Sequence, residues 1–243
     1  MPSDEPNRLA LVTGASRGLG RATALALARA GVHVIAVART VGGLEELDDA
    51  IKAEGNTSTL VPLDLTDGDA IDRLGAEIFR RWGKLDALFG NAGQLGVLTP
   101  LAHLDVAVWE KTLAINLTAN WRLIRSMDPL LRLSPAGRSL FVSSGAARNC
   151  RPFWGAYSVS KAGLEAMVRT YAAEMVSTNV KVNLIDPGPM RTAMRAQAMP
   201  GEDPSTLPEP ASNTDQIIKM LSVGFDQTGV LYDMRSARYL TPT

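Results

Sequence analysis

The segment Tyr157-Ser158-Val159-Ser160-Lys161 has the residue types and spacing most able to do chemistry. It lies at the start of a helical pattern running from about Trp154 to Val176, and residues four apart on a helix share one face. The Lys161 ammonium can therefore approach the Tyr157 phenol. A free phenol has a pKa near 10 and is a poor base at neutral pH. A fixed cation nearby stabilises phenolate and makes proton exchange with an alcohol or carbonyl feasible. The same spacing also describes an ordinary surface pair. Ser144 stands thirteen residues before Tyr157 at the end of an apolar run, where its hydroxyl could hydrogen-bond a substrate oxygen. Ser143 is its rival, and strand-end serines commonly serve only as turn formers. Asn116 interrupts the stretch L-A-I-N-L-T-A. An internal asparagine disfavours helix, so it is either solvent-facing or bonded to something specific.

A second kind of chemistry, anion binding, is suggested near the start of the chain. Leu9 to Thr13 is an apolar run long enough for one buried strand; Gly14, Gly18 and Gly20 follow, and Arg21 to Ala30 reads as an Ala/Leu-rich helix. Strand, glycine turn and helix together offer the open N–H groups and positive dipole end of a helix to a phosphate. The common G-x-G-x-x-G fingerprint is not met, because Thr23 occupies the place of its third glycine. A tight turn with no ligand is the alternative.

The elements that must hold these residues alternate between strand and helix. Strands are predicted at 32–38, 57–63, 85–89, 138–142, 180–185 and 230–232. Helices are predicted at 44–53, 67–82, 106–133, 154–176, 192–199 and 215–221, and a mobile loop rich in proline at 202–212. Near-continuously apolar strands alternating with helices imply an α/β fold. We expect a single-domain Rossmann-type doubly wound parallel β-sheet, flanked by helices on both faces and spanning residues 1–243. Ligands in such sheets bind beyond the carboxyl ends of the strands. Gly14, Asp64, Asn91, Ser144 and Pro187 all fall at such ends, which points to one site.

Composition narrows the partners. Formal charge is zero, without basic or acidic runs, which argues against nucleic acid and anionic membrane surfaces. No transmembrane segment is expected, since the longest apolar stretch, 22–38, is broken by Arg29, Gly31 and His33. Residues 1–7 are polar, lack a signal-peptide core and are expected to be flexible. Cys150 is the single cysteine, which excludes an internal disulfide and fits a cytoplasmic location. With only His33 and His103 besides, no metal site is spelled out, and neither histidine belongs to a hydrolase motif.

Taken in order, these motifs resemble the short-chain dehydrogenase/reductase family, and the likeness runs from Leu9 to about Asp233. The T-G-x-x-x-G-x-G turn matches Thr13 to Gly20; N-A-G matches Asn91-Ala92-Gly93, with Gly90 in place of a frequent asparagine; P-G-x-x-x-T matches Pro187 to Thr192. The family's catalytic asparagine, serine, tyrosine and lysine fall on Asn116, Ser144, Tyr157 and Lys161, and its usual serine-to-tyrosine gap selects Ser144 over Ser143. The resemblance implies a nicotinamide dinucleotide and a small-molecule carbonyl/alcohol substrate. Gly14, Gly18 and Gly20 would hold the pyrophosphate and Asp64 the adenine, with Ser16, Arg17, Leu19 and Leu65 as further cofactor-binding residues. Asn91, Ala92 and Gly93 would lie on the adenosine side, while Ile185, Pro187, Gly188 and Thr192 would bound the nicotinamide. Tyr157 would be the acid/base, and Lys161 would hold the ribose hydroxyls and lower the phenol pKa. Ser144 would polarise the carbonyl, and Asn116 would anchor a water on the proton route. Homodimers or homotetramers built through two long helices are implied as well.

Cofactor choice has a physical argument. An NAD site usually places an acidic residue about 20 residues past the glycine turn for the ribose 2′-OH. Here the second strand ends Ala38-Arg39-Thr40, with no acid before Glu45. Arg39 and Arg17 could instead clamp a 2′-phosphate, which favours NADP(H) over NAD(H). Residues 190–213 would cover the substrate, with Met190, Met194 and Met199 as an adaptable apolar lid, and Cys150 would line the site. A catalytically idle dinucleotide-binding regulator, or a dehydratase or epimerase on the same fold, are the competing readings.

Overall fold

The short apolar runs pair side by side because their backbones can satisfy every N–H and C=O only in a ladder once the side chains are buried. The structure, a computed structural model, describes residues 8–240; the flexible terminus expected at 1–7 lies outside them. The chain runs β1 (Leu9–Thr13), α1 (Gly18–Arg29), β2 (His33–Ala38), α2 (Val41–Ala53), β3 (Ser58–Pro62), α3 (Gly68–Trp82) and β4 (Ala87–Gly90). It continues through α4 (Val106–Leu113), α5 (Ala119–Leu133), β5 (Arg138–Val142), α6 (Ala146–Asn149), α7 (Gly155–Glu174) and β6 (Lys181–Asp186). It closes with α8 (Ala193–Ala198), α9 (Thr214–Leu221), β7 (Leu231–Asp233) and β8 (Arg238–Leu240). The strand order is β3-β2-β1-β4-β5-β6-β7-β8, parallel from β3 to β7. The direction of sheet growth reverses after β3, so the carboxyl ends of β1 and β4 flank the crevice where ligands bind in such sheets.

Alternate strand residues face opposite layers. Leu9 and Leu11 pack with Ile71, Ile78, Leu123 and Val168 beneath α3, α5 and α7. Ala10 and Val12 pack with Leu27, Leu47, Ile51 and Ile217 beneath α1, α2 and α9. Both faces are thus covered, which is why the central strands show no polar alternation. Helix α3 buries Ile71, Leu74 and Ile78 on one stripe, while its other face is mainly charged. Burying each contributes about 1.5–3 kcal/mol, enough to dock a helix whose other face is solvated. Asp67 caps it through the Ala70 N–H (2.9 Å), and Gly83 ends it at φ 72°.

Several boundaries differ from expectation for identifiable reasons. Helix α1 begins at Gly18 rather than Arg21, because the glycine turn itself forms the first helical turn. Helix α2 begins at Val41 rather than Leu44, although Gly42 and Gly43 are poor helix formers. A Cβ on Gly43 would come within 2.9 Å of Ser16 Cβ, so close packing on the glycine turn outweighs propensity there. The predicted helix 106–133 is continuous, but its residues Ala114–Thr118 form a π-helical segment that joins α4 to α5. The sheet is not wholly parallel: β8 runs antiparallel to β7, with Tyr232 opposite Tyr239 and their rings 4.8 Å apart. Three residues are too few to show periodicity, so β8 left no pattern in the sequence, and neither did the four-residue α6. The stretch 202–212, expected as a mobile loop, contains two short 3₁₀ turns, and the Arg195–Glu202 and Arg191–Glu209 ion pairs tie it to its neighbours. Among the described residues no helix is long and apolar enough to cross a membrane.

Gly90 is explained by the strand beside it. It pairs with Phe141, and a Cβ there would lie 2.3 Å from Phe141 Cδ1 and 2.8 Å from Asn120 Oδ1. Overpacking at such a site costs about 1–3 kcal/mol, so Gly90→Ala is expected to lower stability by that amount in denaturant unfolding. The loss should shrink in a Phe141→Leu background, since the two positions share one space. Independent, additive effects would contradict this packing.

Candidate active site

The carboxyl ends of β1 and β4 are fastened to each other by side chains. Thr13 is fully buried, and its Oγ1 accepts from the backbone N–H of Asn91 (3.0 Å) and Ala92 (3.1 Å) while donating to the Phe89 carbonyl (3.3 Å). Asn91 Nδ2 donates back to the Thr13 carbonyl at 2.9 Å. Gly14, at φ 67°, turns the chain beneath this clasp, and a Cβ on Gly20 would sit 2.2 Å from the Gly14 carbonyl oxygen. Gly20 therefore serves close approach of α1 to the turn and does not line the crevice. Gly18, at φ 56°, does: a Cβ there would project to 3.6 Å from Thr192 Cγ2 across the opening. No side chain caps α1, so its first N–H groups remain available. A bare twelve-residue helix start behind two left-handed glycines fits an anionic phosphate group.

From this turn a crevice of about 1600 Å³ extends in both directions along the strand ends. On the β2/β3 side it is lined by Arg39, Asp64 and Leu65, and by Ser16, Arg17 and Leu19 of the turn. Arg17 and Arg39 are exposed, and Arg39 Nη1 stands 4.0 Å from Asp64 Oδ2. The Asp64 carboxylate also accepts from the Thr66 N–H and hydroxyl, both at 2.9 Å, which holds it below the usual carboxylate range. Asn91, Ala92 and Gly93 form the floor. On the β5/β6 side the crevice is lined by Ser144, Tyr157, Lys161, Pro187, Gly188 and Thr192.

Besides Gly20, four expected residues lie outside the crevice wall. Asn116 is fully buried in the π-helical segment behind the crevice. Its Oδ1 accepts from Gln94 N–H (2.8 Å), and its Nδ2 donates to the Gln94 carbonyl (2.9 Å) and to Ser160 Oγ (2.9 Å). Both amide hydrogens are thus engaged, so the side chain braces the turn after β4. Ile185 is fully buried in the layer beneath α1, α2 and α9 and is not part of the crevice wall. Cys150 is exposed at φ 45° and also lies outside the wall. Met190 and Met194 line the crevice, whereas Met199 does not.

The rival serines differ in their partners. Both border the crevice, but Ser143 is buried and donates to Glu165 Oε1. Ser144 lines the crevice and hydrogen-bonds Tyr157. Tyr157 is buried against Leu95, Ala146, Trp154 and Met194, with the Trp154 ring 5.9 Å away. Burial pushes its phenol up to about 12, the Ser144 hydrogen bond opposes this, and the Asp186 charge adds to it. Lys161 is 3% exposed; its Nζ donates to the Val142 carbonyl at 2.7 Å and lies 5.9 Å from the Tyr157 ring centre. Burial draws Lys161 down to about 8, against the opposing pull of Asp186 and Glu165. In the unliganded chain burial thus outweighs the Ser144 hydrogen bond at the phenol, while the ammonium is aimed at a carbonyl. Arg148, Glu165 and Asp186, which join this cluster, were not singled out by sequence. Glu165 did carry a signal, since it follows Lys161 by one helical turn.

A profile of the short chain dehydrogenase family matches residues 8–203. The chain belongs to the short-chain dehydrogenase/reductase family. As a member of that family it is an oxidoreductase. It is 36% identical over 238 residues to the uncharacterized oxidoreductase YciK of Escherichia coli K12, covering 96% of this chain and 93% of that one. A short chain dehydrogenase from Shigella flexneri 2a complexed with NADP superposes with a TM-score of 0.91 at 35% identity, covering 95% of this chain and 98% of that one. One from Escherichia coli CFT073 complexed with NADPH gives 0.90 at 35% identity, covering 94% and 97%.

The raised phenol is directly testable. In the unliganded protein, ultraviolet absorbance titration against Tyr157→Phe is expected to show no phenolate from Tyr157 near neutrality, its midpoint lying at about 12. A midpoint close to pH 7 would show that the ammonium, not burial, governs this group.

Proposed function

We propose that this short-chain dehydrogenase is an NADP(H)-dependent oxidoreductase that interconverts a carbonyl and an alcohol, with Tyr157 as its acid/base. The observation that carries the reading is the arrangement along the strand ends. Ser144, Tyr157 and Lys161 occupy one limb of the crevice, Arg39 and Asp64 the other, and the open start of α1 lies between them. When bound, the nicotinamide dinucleotide supplies or accepts the hydride. Gly14, Gly18 and the first N–H groups of α1 hold its pyrophosphate, Asp64 and Leu65 bound the adenine, and Pro187, Gly188 and Thr192 bound the nicotinamide.

Tyr157 gives its proton to the carbonyl oxygen in reduction and takes one from the alcohol in oxidation. A phenol held at about 12 is protonated at neutral pH, the form that donates in reduction. Ser144 donates a hydrogen bond to the same oxygen, and Lys161 engages the ribose hydroxyls. Asn116 supports the floor through Gln94. Residues 190–213 cover the substrate, with Met190 and Met194 facing it. Exposed Trp121 on α5 and Val159 on α7 support association into homodimers or homotetramers through these two long helices.

The NADP(H) preference rests on the absence of an acidic residue at the end of β2, where Arg39 and Thr40 stand exposed, and on the NADP and NADPH bound to the two neighbours. A guanidinium supplies paired donors to a 2′-phosphate, each charged hydrogen bond worth about 1.5–3 kcal/mol. Arg39→Ala is therefore expected to weaken NADPH about 10- to 100-fold in fluorescence titration and NADH little. Equal losses for both would remove the clamp. A panel of aldehydes and ketones followed by NADPH absorbance tests turnover itself. Tyr157→Phe is expected to reduce kcat by at least about 100-fold while leaving the NADPH Kd unchanged. Wild-type turnover in that variant would overturn the assignment of Tyr157.

A further inference from the structure

At the β5/β6 end of the crevice lies a cluster of four charges that the chemistry above does not use in full: Lys161, Asp186 and an exposed Arg148 line the wall, and Glu165 stands behind it. Lys161 is 3% exposed, Asp186 4% and Glu165 8%, so two carboxylates and an ammonium on which both act are all withdrawn from water. An isolated buried charge is expensive and is tolerated only when paired and hydrogen-bonded. Arg148 on α6 completes the set: it bridges Glu165 on α7 and Asp186 at the end of β6. The remaining lone pairs find donors as well. Ser143 Oγ donates to Glu165 Oε1, and the Gly188 N–H donates to Asp186 Oδ1 at 3.1 Å. The four charges cancel, so the cluster is neutral as a unit.

Its placement relates to the reacting groups. Glu165 follows Lys161 by one turn of the same helix, and Asp186 directly precedes the Pro187-Gly188 segment that lines the crevice. Among the described residues the ionisable groups acting on Lys161 are Glu165 on its own helix and Asp186 on β6. Tyr157 lies one turn before it on α7, and Arg148 is held behind it by those two carboxylates. The strand end of β5 presents the Val142 carbonyl, and the turn after β4 and the π-helical segment present only uncharged Gly93 and Asn116. Beside the Val142 carbonyl, these two carboxylates are, among the described residues, the opposite charges that favour the ammonium form.

We propose that Glu165 and Asp186 are positioning residues that hold Lys161 in its charged form against the Val142 carbonyl, with Arg148 as the bridge that lets two carboxylates be buried side by side. The inference rests on the oxidoreductase reading only for its catalytic consequence; the charge state of Lys161 is a property of the folded chain. Without either carboxylate, desolvation of Lys161 goes less opposed, and an opposite charge at this range typically shifts a pKa by about one to three units. The cluster therefore extends the range over which Lys161 stays charged toward higher pH.

The test uses the full-length chain and the near-isosteric variants Glu165→Gln and Asp186→Asn. Side-chain NMR of isotopically labelled lysine, with Lys161 assigned through Lys161→Arg, gives its titration midpoint without any turnover. We expect about 8 in the wild type, a fall of about one unit or more in each variant, and partial return in Glu165→Asp. In carbonyl reduction the alkaline limb of kcat should move down by the same amount, giving about a tenfold loss on that limb with little loss below it. An unchanged midpoint, or a uniform loss of kcat at every pH, would overturn the proposal and leave Glu165 and Asp186 merely structural. Failure of the wild type to reduce any carbonyl would count against the oxidoreductase reading alone, because the NMR midpoint still decides this inference.

Discussion

A buried ammonium constrains this fold more than any other single group. Lys161 sits on a central helix beneath the sheet edge, sealed from water, with its charge directed at the Val142 carbonyl. Burying such a charge without partners would cost more than the marginal stability of a typical domain leaves available. Carboxylates from its own helix and from β6, a guanidinium from α6 and a carbonyl from β5 therefore meet at one point. Each element contributing to that point also contributes to the crevice wall, so the electrostatic requirement and the shape of the site are set together.

The opposite limb of the crevice is governed by steric approach rather than by charge. Thr13 ties the ends of β1 and β4, Gly14 turns beneath the tie, and Gly20 lets α1 close to within a distance that no side chain allows. This brings the uncapped start of α1 to the middle of the sheet edge. An anion-binding end and a proton-transferring end are thereby held on one rigid scaffold, with relative positions fixed by parallel strand pairing rather than by loops.

The pairing of Tyr157 with Lys161 shows how a correct spacing can mislead about energetics. One helical turn does separate them, as the sequence requires. The ammonium nevertheless turns toward a backbone acceptor, and desolvation of the phenol dominates. Asn116 is a similar case: an asparagine inside an apolar helix was either solvent-facing or bonded to something specific, and its partners prove to be the backbone of Gln94 and the Ser160 hydroxyl. Sequence exposed the anomaly, while only packing named the partner. Ser143 and Ser144 could not be separated by residue type; only their partners, Glu165 for one and Tyr157 for the other, tell them apart.

The alternation of apolar runs with amphipathic helices determined the α/β class, both covered faces and the crevice at the strand ends, since burial of periodic side chains is a local, additive demand. The glycine spacing likewise determined the phosphate-accepting turn, because backbone conformations at positive φ are written in residue type. What only the tertiary structure decided were the short elements β8 and α6, the turns within 202–212, the removal of Ile185 and Cys150 from the site wall, and the meeting of Arg148, Glu165, Asp186 and Lys161. Those outcomes depend on contacts between residues from 4 to 38 positions apart in the charge cluster, and on desolvation, which belongs to the folded surroundings and not to any residue alone.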